Sequence, residues 1–189
     1  EIAQKLGIIA IQQNFSLIST MTVAENIYYG DYCLKKMNLI DWDALFSEAD
    51  IFLKSIGFDT IDVRKKINQL SVADCQKIEI AKAIRKKSKI LIMDEPSAVL
   101  SKGDLDRLFK IIKNIISQNV GVIYISHHLD EVFDIADRIT VLKDGKKVKT
   151  LLKDNTNHNE LIQLMVGRKI TEMYPKREVK VGKEILSIR

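Results

Sequence analysis

With 189 residues, 46% hydrophobic and 29% charged, and a formal net charge of +5, the chain lies in the range of ordinary globular domains, which excludes disordered and collagen-like classes. Its apolar runs, such as Gly7 to Ile11 and Ile90 to Met93 with five and four residues, stop far short of the roughly 20 that span a bilayer. The sequence starts at Glu1 without an initiator Met, a basic n-region or an apolar signal core, so secretion is not expected and truncation is.

Taken in chain order, Gly7 to Ile11 reads as a strand ending in Gln12-Gln13. Residues 14 to 88 lack strand-like runs and carry helix caps instead. Thr22 with Glu25 forms a capping box, Asp41 precedes a Leu45, Ala49, Phe52, Ile56 stripe closed by Gly57, and Ser71 with Asp74 opens a further helix. Ile90 to Met93 is a second strand, ending in Asp94-Glu95. Asp104 to Gln118, with Leu105, Leu108, Phe109, Ile112, Ile115 and Ile116, is a crossover helix leading to a third strand, Val120 to Ile125, which ends in Ser126-His127-His128. Leu129, Val132, Phe133 and Ala136 mark another helix. Ile139 to Leu142 and Val148 to Leu152 read as a hairpin around Asp144-Gly145. Tyr174-Pro175-Lys176-Arg177 looks like a linker, and Glu184 to Arg189 the start of a strand.

Alternating strands and helices define an α/β fold, and continuous β-branched runs predict a parallel sheet buried on both faces. Ligands of open parallel sheets bind beyond the carboxyl ends of the strands, where three polar termini converge here. Cys33 and Cys75, 42 positions apart and without CxxC spacing, argue against a zinc site or a disulfide framework and suit a reducing cytoplasm. The basic excess sits in residues 143 to 189, with 12 Lys and Arg against 6 Asp and Glu, but it forms no block and reads as a solvated surface.

Two acids at a buried strand's end can hold Mg²⁺ and polarise an attacking water, although alone they better suit a strand that ends in a surface loop. Small residues at the Ser71 helix start leave N–H groups that can bind phosphate, and a plain cap is the simpler alternative.

In order, Gln13, Leu70-Ser71-Val72-Ala73-Asp74, Ile90 to Pro96, Ser97 to Ser101 and Ser126-His127 resemble the Q-loop, signature, Walker B, D-loop and switch histidine of the ATP-binding subunits of ABC transporters. Val23 to Ile27, Tyr124 to Val132, Met165 to Arg168 and Tyr174 to Arg177 narrow the likeness to the subgroup that imports simple sugars, whose chains fuse two ATPase domains. The resemblance implies a partial P-loop NTPase core with an inserted helical subdomain at about 14–88. It divides the chain into 1–168 as the C-terminal part of a first ATPase domain, 169–183 as a linker and 184–189 as the start of a second.

The same resemblance implies ATP and Mg²⁺ as cofactors. Asp94 and Gln13 would serve the metal, with Gln12 the neighbouring alternative; Glu95 would be the general base, and His127 would contact the γ-phosphate. His128 and His158 read as ordinary surface or core histidines. Ser71, Val72, Ala73 and Asp74 would bind the γ-phosphate of ATP held by the opposing domain. Ala73 replaces the usual Gly and Asp74 the usual Gln, so bulk and charge weaken that contact.

None of the eight glycines belongs to a G-x-x-x-x-G-K-[ST] loop; the family carries that loop upstream of its Q-loop, so truncation explains its absence better than degeneration. Implied partners are a second ATPase domain in the same chain or a second copy, transmembrane permease subunits and, indirectly, a periplasmic or lipid-anchored sugar-binding protein. No nucleic acid is expected, and the location is the cytoplasmic face of the cell membrane. Ribose, galactose, xylose or a nucleoside all fit as cargo. A DNA-repair or translation ATPase would show a coiled-coil insertion or a long basic linker; for a degenerate nonhydrolysing module, the presence of both Glu95 and His127 argues against and the missing phosphate loop argues for.

Overall fold

The structure is a computed structural model and describes residues 2–167 apart from 36, 38 and 87. The linker expected at 169–183 and the strand start at 184–189 lie outside the described residues. The chain separates into two compact units, Glu1–Val132 and Phe133–Arg189.

The first unit is built on three parallel strands, β1 (Ile8–Ile11), β2 (Ile90–Asp94) and β3 (Gly121–Ile125), in the order β1-β2-β3. Their register pairs Ile11 with Met93 and Asp94 with Ile125, so all three carboxyl ends lie along one edge. A short helix, α1 (Ile2–Lys5), precedes β1, and Gly7 joins them at φ +83°, where an added Cβ would come within 3.0 Å of Lys89.

Between β1 and β2 come α2 (Val23–Ile27), α3 (Trp42–Ser55) and α4 (Val72–Arg85), and, among the described residues, no strand. Each has the expected cap: Thr22 and Glu25 close a reciprocal box, Asp41 accepts from the Ala44 N–H, and Ser71 accepts from the Asp74 N–H. On α3 the buried line is Leu45, Ala49 and Leu53, whereas the stripe read from the sequence ran through Phe52 and Ile56, which are half-buried. Both lines keep helical spacing, and packing chose between them. Gly57 follows α3 at φ +81°.

The crossover helix α5 (Lys102–Ser117) starts earlier than the apolar spacing indicated, because Ser101 caps it by accepting from the Asp104 N–H. It buries Leu108, Phe109, Ile111, Ile112 and Ile115. Ile9, Ile11, Leu91 and Met93 form the buried side of the sheet, with α4 against β1 and α5 against β3.

The expectation of two covered faces is not met among the described residues. Ile123 and Ile125 are 51% and 46% exposed, and Ala10, paired through Ile92 to Ile123, is exposed as well. Apolar content measures what a strand can bury, and one side of this sheet has no described element over it.

The helix α6 (Leu129–Ile135) contains the division between units. In the second unit, β4 (Arg138–Lys143) and β5 (Lys146–Leu152) pair antiparallel around Asp144 and Gly145, both with positive φ as a tight hairpin turn needs. The last described helix, α7 (His158–Val166), packs on β4, and Leu161, Ile139 and Val141 are buried.

Candidate functional site

The carboxyl edge of the sheet gathers the acids and histidine picked out by the sequence. Glu95 leaves β2 at φ +49°, a left-handed conformation that costs a non-glycine residue about 1 kcal/mol or more. Its backbone N–H donates to the Ile125 carbonyl at 3.0 Å, which extends the β2–β3 ladder by one bond and turns the side chain toward the end of β3. There Glu95 Oε1 meets His127 Nδ1 at 2.7 Å. The other carboxylate oxygen, Oε2, is buried and has no hydrogen-bond partner. The His127 ring is 66% exposed, so this pair stands between the protein and solvent.

Behind the pair lies a second carboxylate to which the sequence reading attached no role. Glu131 Oε2 accepts hydrogen bonds from Ser97 Oγ at 2.7 Å, Tyr124 Oη at 2.8 Å and Ser126 Oγ at 3.2 Å. One acid thus joins the loop after β2, the end of β3 and α6. Burial pushes the Tyr124 phenol well above its ordinary range, and the hydrogen bond to Glu131 adds to this. Ser126 Oγ also accepts from the His128 N–H at 3.0 Å, which bends the chain just where the two histidines leave the strand.

Asp94 ends β2 and Gln13 lies two residues beyond the end of β1, on the neighbouring strand. An aspartate and an amide carbonyl are the hard oxygen donors that suit Mg²⁺, which takes few protein ligands and completes its shell with water and phosphate oxygens. The donor set therefore fits Mg²⁺. For the phosphates the fit is partial, since this chain has no glycine-rich cradle for them.

The start of α4 is a separate polar cluster. Ser71 Oγ accepts from the Asp74 N–H at 3.1 Å and donates to Asp74 Oδ2 at 2.8 Å. Lys77 Nζ bridges Asp74 and Asp104, each at 3.2 Å, and Asp104 Oδ2 accepts from Ser101 Oγ at 2.8 Å. A single lysine thus ties the cap of α4 to the cap of α5. Burial would raise the Asp104 carboxyl, but the Ser101 hydroxyl and the Lys77 and Arg107 charges outweigh it and hold it below the usual carboxylate range. Val72 and Ala73 occupy the first turn. Among the described residues no hydrogen bond or ion pair joins Ser71, Val72, Ala73 or Asp74 to Glu95 or His127.

The segment after Gln13 is fastened to α4. The Glu79 carboxylate accepts from the Ser16 N–H and, at 3.2 Å, from its hydroxyl, while Lys82 Nζ donates to Ser16 O and Oγ, both at 3.1 Å. Asn26, buried on α2, accepts from the Ile18 N–H at 2.7 Å and donates to the Ile18 and Thr22 carbonyls. Glu79 and Asn26 are buried polar groups, and such groups require partners; the sequence carries no signal that Ser16 and Ile18 supply them.

The sheet and its helical insertion have the fold of an ATP-binding cassette. A dimeric ATP-binding cassette in a post-hydrolysis state, bound to ADP and Pi, superposes with a TM-score of 0.66 at 23% identity, over 77% of this chain and 62% of that one. An inward-facing ABC transporter gives the same TM-score at 20% identity over 85% of this chain and 64% of its own.

The ABC transporter family model matches residues 2–98, and the chain belongs to that family. It is 43% identical over 187 residues to the ribose import ATP-binding protein RbsA of Clostridium tetani, covering 98% of this chain and 37% of that protein. It is 44% identical over 186 residues to the xylose import ATP-binding protein XylG of Geobacillus kaustophilus, covering 98% and 36%. The chain thus spans little more than a third of the length of these curated relatives.

Proposed function

We propose that this chain is the hydrolytic part of an ATPase domain that drives import of a simple sugar through an ABC transporter. The observation that carries the reading is the Glu95–His127 pair, closed at 2.7 Å across the ends of two adjacent parallel strands. Similarity to ribose and xylose import proteins supports a sugar as cargo, with a nucleoside as the alternative.

In this reading Glu95 accepts the proton of the attacking water, and its strained backbone and unpaired Oε2 suit a group kept ready for a reactant. His127 donates to the γ-phosphate. Asp94 and Gln13 hold Mg²⁺, which when bound neutralises phosphate charge. An upstream segment supplies the phosphate cradle.

Ser71, Val72, Ala73 and Asp74 serve the nucleotide of the opposing ATPase domain. That no hydrogen bond or ion pair among the described residues joins them to Glu95 or His127 supports this, as does the α4 N-terminus, whose partial positive charge favours an anion. The Asp74 carboxylate and the Ala73 methyl weaken that contact. Residues 1–168 belong to the first ATPase domain, 169–183 link it to a second, and 184–189 begin that second domain. Its partners are that domain, permease subunits and, through them, a sugar-binding protein. No described helix is long and apolar enough to cross a membrane, which is consistent with peripheral attachment at the cytoplasmic face.

The test is Glu95→Gln in the whole protein. ATP binding should be kept while single-turnover hydrolysis at this site falls by about 100-fold or more. Unchanged hydrolysis at that site would remove Glu95 as the base.

A further inference from the structure

The Glu95–His127 pair has a neighbour that hydrolysis does not use. His128 lies beside it, with its ring centroid 4.1 Å from that of His127 and the two planes tilted by 37°. Consecutive residues in extended chain point to opposite sides, so this arrangement needs the bend that the Ser126 Oγ bond to the His128 N–H supplies. One ligand atom from each of Glu95, His127 and His128 lies within 4.8 Å of the other two.

We propose that Glu95, His127 and His128 form a binding site for a zinc-class transition ion, and that Zn²⁺ bound there blocks hydrolysis. The donors carry the assignment. Two imidazoles and one carboxylate form a set that suits Zn²⁺ and leaves a fourth position for water, whereas Mg²⁺ prefers oxygen alone. Bond lengths of about 2.0–2.1 Å in a tetrahedron put ligand atoms about 3.3 Å apart. The observed geometry is close to that value: Oε1 and Nδ1 are at 2.7 Å and must part slightly, and one ligand atom of each residue already lies within 4.8 Å of the other two. Both histidines are exposed and free to make these adjustments. Glu95 Oε2 adds an independent sign, because a buried carboxylate oxygen without a partner is rare and a cation would satisfy it.

The cysteine spacing that argues against a zinc site says nothing here, since neither thiol takes part. Its donors are also different residues from Asp94 and Gln13, the pair proposed above to hold Mg²⁺. Inhibition rests on Glu95 being the base, because a carboxylate bound to Zn²⁺ no longer accepts a proton from water; binding itself does not depend on that role.

The experiment uses the whole protein, with Zn²⁺ affinity measured by competition with a chromophoric chelator and ATP hydrolysis measured in excess Mg²⁺. His128→Ala and His128→Gln should each weaken Zn²⁺ binding by about 100-fold, at least what loss of a supporting group costs. Both variants should hydrolyse ATP at the normal rate without zinc and resist zinc inhibition. Co²⁺ in the wild-type site should lack a thiolate charge-transfer band. Equal Zn²⁺ affinity in wild type and both variants, or a thiolate band, would overturn the site. Affinity that depends on His128, with hydrolysis indifferent to bound zinc, would uphold the metal site and overturn inhibition and the role of Glu95 as base.

Discussion

Two polar ends of the first unit solve the same problem in opposite ways. At the start of α4, Ser71, Asp74, Lys77, Asp104 and Ser101 form a chain in which every side chain has a partner, and two helix caps share one lysine. At the carboxyl edge of the sheet, Glu95 sits in a left-handed conformation with one buried oxygen unpaired, over a well-satisfied Glu131. At the first end the side chains pair with one another, which leaves the remaining N–H groups of the first turn of α4 for the phosphate assigned to them above. The second holds one unsatisfied carboxylate oxygen beside a carboxylate oxygen that accepts three hydrogen bonds, as expected where a reactant or ion completes the site.

The contrast can be broken most severely at Glu131. Glu131→Ala strands three hydroxyls that now share one oxygen, and should cost about 3 kcal/mol in urea unfolding, with Glu131→Gln recovering about half. A loss below about 1 kcal/mol would mean that the edge does not rest on this carboxylate.

Lys77→Met should come next, at about 2 kcal/mol, because it leaves Asp74 and Asp104 facing each other without the cation between them. Native-state hydrogen exchange would show the amides of the first turns of α4 and α5 opening together. Opening of one helix alone would separate the two caps.

Asp104→Asn should cost about 1 kcal/mol at neutral pH. The Asp104 carboxyl is held below its ordinary value when folded, so its stabilisation is present above about pH 4 and is lost as pH falls through the depressed value. The gap between wild type and Asp104→Asn should therefore close in acid. A gap that is constant with pH would assign the effect to shape and not to charge.

The smallest expected change has the opposite sign. Glu95→Gly relieves the left-handed strain but adds unfolded-state entropy, so stability should rise by about 0.5 kcal/mol while hydrolysis is lost. A clear fall in stability would show that the Glu95 side chain supports the edge as the α4 network supports its own.

The amino-acid sequence by itself determined what depends on neighbours a few residues away. The Thr22, Asp41 and Ser71 caps, the Asp144-Gly145 turn and the three β-branched strands all stand where their local pattern puts them, because such bonds close within three or four residues. The motif order brought Asp94, Glu95 and His127 to one edge, since parallel strands end on the same side. The start of α5 was not placed this well: the apolar spacing pointed to Asp104, and the Ser101 cap puts it at Lys102.

Tertiary structure alone decided the rest. That Lys77 reaches Asp104, that Glu79 and Lys82 clasp Ser16, that Glu131 gathers Ser97, Tyr124 and Ser126, and that His128 turns beside His127 depend on how separate segments are brought together or bent. Long polar side chains have many possible partners, and local pattern does not choose among them. The open face of the sheet has the same origin: β-branched residues carry the capacity for burial, and only packing decides which of them are covered.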